Sequence, residues 1–354
     1  MHKTKIFFLF TLFCHNIFCS ETPYKQLITF VRQPHLASWL DERHVFIGGV
    51  NGFEIIVPAN NQSIQHEECH TGVYDIALNK TRTQYAISLN RKLKCYCTHD
   101  HKLLWKCTHT NTADVPITFN SQNENQVIYS YTNDYTLVPT KLHPNLLHKN
   151  VLHFAFPERG PISCKASETK IISFTQRNTR DLGIYIITEN VCGLSELITK
   201  LRTRGCLNEI RYTPNGERII LNFQKEIQIH DVSDYGTNSV ISIPTHSPYI
   251  AFDCYSDLFI AFLTQDNVVS YYNCCTEKVP AKTILPHFIE RNTSEQSSHN
   301  TTNKRVSISP DGGQLLVVVS NTSIVIPIPL LTIFCGPEGA KTLLFLFCLT
   351  KHNT

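Results

Sequence analysis

Gly205 to Ser233 reads GCLNEIRYTPNGERIILNFQKEIQIHDVS, and its apolar residues gather in three short groups, Ile210-Tyr212, Ile219-Leu221-Phe223 and Ile227-Ile229. Within each group they alternate, the period-2 signal of a strand. Pro214-Asn215-Gly216 suits a tight turn between the first two groups, because proline presets φ while Asn and Gly tolerate positive φ. Gln224-Lys225 makes a short polar hairpin tip between the second and third. A lone meander of three or four strands leaves a face uncovered, so such a unit needs copies of itself on either side.

Copies are present. Lys304 to Ile328 repeats the pattern, with Pro310-Asp311-Gly312 as the turn before a Leu/Val run, and so does the stretch from His70 to Cys97. Taking Val57, Cys97, Val138, Ile187, Asp231, Asn273 and Pro327 as equivalent strand ends marks seven units. The two longest steps between these points hold insertions, Leu142 to Ser163 and Pro286 to Asn303. Units of about 40–45 residues with four short strands each have the period of a β-propeller blade. The expected fold is therefore all-β, a seven-bladed β-propeller of four-stranded antiparallel blades over residues 21–331. Leu27-Val31, an isolated strand ahead of the first blade, is expected to close the ring by pairing with the last blade, where only three strands are evident.

His70-Thr71-Gly72 before a strand, Ser309-Pro310-Asp311-Gly312 and Tyr212-Thr213-Pro214-Asn215-Gly216 at the turns, and Gln228-Ile229-His230-Asp231 at the end of a third strand resemble WD40 repeats. The Trp-Asp pair of that family is replaced by His230-Asp231, Tyr96-Cys97 and Tyr272-Asn273. The resemblance spans nearly the whole chain after its leader. It implies a propeller acting as a protein–protein interaction scaffold.

Residues 1–20, MHKTKIFFLFTLFCHNIFCS, carry a basic start, an apolar run from Ile6 to Phe13 and small residues at Cys19 and Ser20. They read as a secretory signal peptide, so the mature protein is expected outside the cytoplasm, secreted or periplasmic. The tail at 332–354 breaks the blade pattern at Gly336-Pro337-Glu338-Gly339, and Ala340 to Leu349 suits a short helix on the rim. That run is too short to span a bilayer.

Lys+Arg 32 against Asp+Glu 29 leaves a net charge of +3, and no basic run is interleaved with aromatics, which argues against a nucleic-acid partner. There is no Gly-x-Ser-x-Gly elbow, phosphate loop or HExxH, so no enzyme activity and no cofactor are expected. Cys95, Cys97, His99, His101, Cys107 and His109 are close enough in sequence to suggest a metal site, and the competing reading of the whole chain is a metal-binding or enzymatic propeller using loop residues near the central channel. Packing and hairpin-tip roles account for the same residues. A disulfide from Cys95 or Cys97 to Cys107 is the pairing that a single hairpin would favour. The expected partner is another protein, bound by a monomer through the loops joining second to third strands. Those loops share one face of the ring, and they include Arg91, Lys92, Asp134, Arg180, Lys225 and Asp266.

Overall fold

The structure is a computed structural model. It describes residues 24–69, 72–90, 92–108, 117–119, 127–131, 151–155, 163–164, 171–175, 181–187, 195–202, 207–213, 218–223, 226–231, 240–244, 246–256, 259–273, 278–285, 305–319 and 322–328. All regular structure among these residues is β. β1 (Lys25–Leu27) precedes a first sheet of β2 (Leu36–Trp39), β3 (Val45–Gly49), β4 (Gly52–Val57) and β5 (Gln62–Glu68). The second sheet holds β6 (Val73–Leu78), β7 (Gln84–Leu89), β8 (Lys92–Cys97) and β9 (Leu103–Thr108), and the third β10 (Ile117–Phe119), β11 (Val127–Tyr131) and β12 (Val151–Ala155). β13 (Ser163–Cys164), β14 (Ile171–Thr175), β15 (Asp181–Ile187) and β16 (Ser195–Arg202) form the fourth. The fifth is β17 (Leu207–Tyr212), β18 (Arg218–Phe223), β19 (Glu226–Asp231) and β20 (Val240–Pro244). β21 (Tyr249–Ser256), β22 (Phe259–Thr264), β23 (Val268–Asn273) and β24 (Lys278–Ile284) make the sixth. In the seventh, β25 (Val306–Ile308), β26 (Gln314–Val319) and β27 (Thr322–Pro327) are joined by β1.

The turn between first and second strands repeats one hydrogen-bond device. Ser309 Oγ accepts the Gln314 N–H at 2.8 Å, Thr213 Oγ1 accepts that of Arg218 at 3.1 Å, and Asn79 Oδ1 accepts that of Gln84 at 2.9 Å. A short polar side chain thus satisfies the backbone that the turn takes out of the ladder. The second strand behind it does not alternate. Ile219, Ile220, Leu221, Asn222 and Phe223 are all buried, as are the second strands of the first and sixth sheets and, after Gln84 and Gln314, those of the second and seventh. A strand covered on both faces has no solvent side to show.

The cores lie between sheets. Val45, Ile47 and Trp39 of the first sheet pack on Leu27, Leu316, Val318 and Val325 of the seventh, while Phe46, Phe53, Tyr85 and Tyr96 join the first to the second. Inner strands are tied by a recurring bond: Asp75 Oδ2 accepts the N–H of Ile117 at 2.8 Å, and Asp253 Oδ2 that of Ile308 at 2.8 Å. Ser307 Oγ of the seventh sheet accepts the N–H of Trp39 of the first at 3.0 Å, so the last sheet meets the first in the same way.

The N-terminal closing strand is present but displaced from the expected Leu27-Val31. β1 pairs antiparallel with β27, with Lys25 opposite Val325 and Leu27 opposite Ser323. It stops there because the buried carboxylate of Glu54 captures the next few residues: its Oε2 accepts the Thr29 hydroxyl at 2.8 Å and the Phe30 N–H at 2.9 Å. The third sheet is also a correction to the uniform antiparallel pattern. β11 pairs in parallel with β12, Val127 opposite Val151, where the expected pattern is antiparallel. The expected strand at Asp134-Val138, the signal peptide at 1–20 and the helix within 332–354 lie outside the described residues. No described helix is long and apolar enough to cross a membrane.

Candidate functional site

In an antiparallel four-stranded sheet the second-to-third hairpin and the link from the fourth strand to the next sheet fall at the same end. This face therefore carries the tips at 50–51, at 90 and at 265–267, together with the links at 28–35 and at Cys69. Lys92 opens β8 and is exposed there. Asp266 is exposed in the turn after β22, where Thr264 donates to its Oδ1 at 2.5 Å and Asn267 adopts φ +62°. These two side chains belong to the second and sixth sheets, with the seventh and first between them, so they do not form one site. Arg91, Asp134, Arg180 and Lys225 lie outside the described residues.

Among the described residues of this face there is also a feature absent from the expected set. The hairpin tip Val50-Asn51, the link from β1 and the end of β5 surround a groove of about 700 Å³ lined by Phe30, Arg32, Val50, Asn51, His66, Glu68 and Cys69. Its frame is hydrogen-bonded backbone. Asn51 Oδ1 accepts the Arg32 N–H at 2.7 Å, Arg32 O accepts the Val50 N–H at 3.1 Å, and Asn51 O accepts the Cys69 N–H at 2.9 Å. Two glycines permit this closeness. A Cβ on Gly49 would lie 2.4 Å from Arg32 O, and one on Gly52, at φ +133°, would lie 2.0 Å from Glu67 O. The run Gly48-Gly49-Val50-Asn51-Gly52 was the sequence signal for this tip.

The rim offers apolar surface and both signs of charge. Phe30 is 68% and Val50 45% exposed, and the Phe30 ring sits 6.4 Å from that of His66. Among the described residues neither Arg32 nor Glu68 has an ion-pair partner. Glu67, one residue earlier, points to the second sheet and is held by Lys94 and by the Tyr96 hydroxyl at 2.8 Å. Burial alone would raise its pKa, and these two hydrogen bonds bring it below the ordinary glutamate value instead. Burial, helped by Glu67, pushes the Cys69 thiol up to about 11, and the charges of Lys94 and then Lys92 oppose that rise.

Cys95 and Cys107 of the second sheet are packing residues, while Cys97 is half-buried with a free thiol. Cys95 stands opposite Trp105 and Cys107 opposite Leu93, both buried against Ala77, Ala86 and Phe119. Their thiols are free, which corrects the expected disulfide, and burial pushes them up to about 12 and about 11. The diagonal placement of Cys95 and Cys107 across the ladder leaves each sulfur facing a different partner residue. No group of three His, Cys, Asp or Glu among the described residues is arranged to hold a metal ion, and His109 lies outside them.

No protein-family model matches the sequence, and no curated protein matches it. The fold has clear structural relatives. The β-propeller domain of Cps50 (Swd1) from Myceliophteria thermophila superposes with a TM-score of 0.63 at 11% identity, covering 87% of this chain and 100% of that one. The chain thus has a β-propeller fold.

Proposed function

We propose that the protein is a non-enzymatic interaction scaffold, a seven-bladed WD40-type propeller that is exported from the cytoplasm and binds a protein partner as a monomer through its hairpin face. Seven successive sheets, and the Ser307–Trp39 bond that joins the last to the first, support the closed ring. The observation that carries the binding role is the open groove, with Phe30 and Val50 exposed at its rim and Arg32 and Glu68 in its lining. Apolar surface edged by mixed charge suits a specific protein surface better than a polyanion, which would need charges of one sign. The apolar run at residues 6–13 supports export.

The test is affinity capture from the extracellular fraction using the protein as bait. Phe30→Ser with Val50→Ser, or joint charge reversal at Arg91, Lys92, Arg180 and Lys225, should remove the captured partner. Asp311→Lys on the opposite face should leave it bound. Equal effects from both faces would sink the assignment.

A further inference from the structure

Among the described residues every sheet ends in an outer strand with no strand paired to its far edge, which leaves a row of N–H and C=O groups there. Natural proteins guard such edges with charged side chains, lysine above all, with proline or with bulges, since an unguarded one adds strands from other chains. Five of the six four-stranded sheets obey this rule. Their outer strands carry Lys25 (β1), Lys106 (β9), Lys200 and Arg202 (β16), Pro244 (β20), and Lys278, Pro280 and Lys282 (β24). β5, the outer strand of the first sheet, is Gln62-Ser63-Ile64-Gln65-His66-Glu67-Glu68: it has neither lysine, arginine nor proline, and its only charges are the carboxylates of Glu67 and Glu68, of which Glu67 is taken up by the second sheet.

Its surroundings are equally distinct. Of the seven large apolar side chains that are exposed among the described residues, five (Tyr24, Ile28, Phe30, Val50 and Ile64) lie on β5, on the hairpin tip beside it, or on the segment running alongside it. A bulge at Ile64 interrupts the ladder with β4, so the regular edge available for pairing is Gln65 to Glu68, the part that borders the groove. Along that run Gln65 and Glu67 are the less exposed pair, Glu67 bonded to the second sheet. His66 and Glu68 point the other way. His66 stands opposite the buried Glu54, which holds Phe30 in place, and Glu68 offers an exposed carboxylate with no ion pair among the described residues.

We propose that β5 is a strand-addition site, at which an extended segment of a partner protein pairs with Gln65–Glu68. The main-chain hydrogen bonds supply affinity and alternate side chains supply specificity. An apolar side chain of the segment lies over Phe30 and Val50, and a basic one meets Glu68. The site is separate from the tips of the other blades. It shares Phe30, Val50 and Glu68 with the groove and so rests on that reading of the face, but the two fail differently: partner capture lost in Phe30→Ser with Val50→Ser, while exchange at Gln65–Glu68 stays unchanged, would sink this proposal alone.

The test uses the full chain and a short capped peptide of alternating valine and lysine, with amide hydrogen exchange as the readout. Binding should slow exchange at Gln65–Glu68, and the same peptide N-methylated along one edge, unable to extend a sheet, should not. His66→Lys, which installs the missing guard at an exposed position, should weaken binding about tenfold, and Glu68→Gln about threefold. Leu104→Lys on the already guarded β9 should change it less than twofold, a difference of about 0.4 kcal/mol. Unchanged exchange at Gln65–Glu68, equal protection by the N-methylated peptide, or equal losses from His66→Lys and Leu104→Lys would overturn the proposal. So would a concentration-dependent dimer protected at the same four residues without peptide, since a second copy would then be the occupant.

Discussion

Gln26 stands directly opposite Ile324, so the start of the described chain lies within the sheet formed by its end. The neighbouring Leu27 is 2% exposed and packs on Val45 and Ile47 of the first sheet as well as on Leu316 and Val318 of the seventh. Leu27→Ala should cost about 3 kcal/mol, the usual range for a buried leucine that leaves a cavity. Ile28→Ala, at a side chain 67% exposed, should stay within about 0.5 kcal/mol. Urea unfolding of the two variants measures the contrast, and equal midpoints would show that the ring is held shut elsewhere.

Arg211 links two sheets by donating to Glu209 of its own strand, at 2.5 Å, and to Asp253 of the sixth sheet. Burial disfavours its charge, but the two carboxylates outweigh burial and raise its pKa, so the guanidinium stays protonated. Arg211→Met should destabilise the fold by about 3 kcal/mol, because it removes the cation that Glu209 and Asp253 share. Adding Glu209→Leu should recover part of that loss. A double-mutant cycle in denaturant reads the coupling, and strict additivity would mean that the pair does not interact.

His101 sits between first and second sheets, its ring 5.1 Å edge-on from that of His44 and 6.1 Å from that of Tyr85. Neither ring nitrogen has a hydrogen-bond partner among the described residues. Burial, and then the charge of His44, lower its pKa below 6.5, with His99 adding to the effect and Asp41 and Asp100 opposing it. The folded protein therefore favours the neutral ring, while the unfolded chain takes up a proton as pH falls past 6.5. This contribution to stability is complete above pH 6.5 and is lost as pH drops through the lowered folded value. Melting temperatures across that window should fall in the wild type and fall less in His101→Phe; parallel curves would remove His101 as the cause.

Cys95 and Cys107 should resist alkylation in the native state at pH 8, where buried thiols held near 12 and 11 are almost wholly protonated. Peptide mapping after iodoacetamide treatment should find both unmodified until the protein is unfolded. Labelling in the native state would mean that the outer strand β9 opens readily.

Much of the architecture can be read from the repeats, because turn residues such as Thr213 and Ser309 and the apolar runs behind them are local signals. Ile219 to Phe223 shows where such reading reaches its limit: alternation was visible in the sequence, yet all five side chains are buried, since the neighbouring sheets cover both faces. Glu54 is a further case. An acid inside an apolar strand gives no sign that its partners are Thr29 and Phe30, and that contact ends β1 early and builds one wall of the groove. The bonds from Asp75, Asp253 and Ser307 join different sheets, so spacing within one repeat cannot disclose them. Of the expected binding residues, Lys92 and Asp266 are exposed on the hairpin face, but the groove depends on where three distant segments meet.

The pairing of β1 with β27 also fixes an order of events during synthesis. Lys25–Leu27 leaves the ribosome before any other described strand, yet its partner is the final one, Thr322–Pro327. Each intervening sheet can gather its own strands as they emerge, since most of its contacts are local, whereas the closing strand must wait for nearly the whole chain. Until then Leu27 has only the first sheet to cover it, and β27 lacks an outer neighbour. A chain stalled shortly before residue 322 would therefore be an open arc with two adhesive ends, the species that cellular quality control would have to hold apart from its copies.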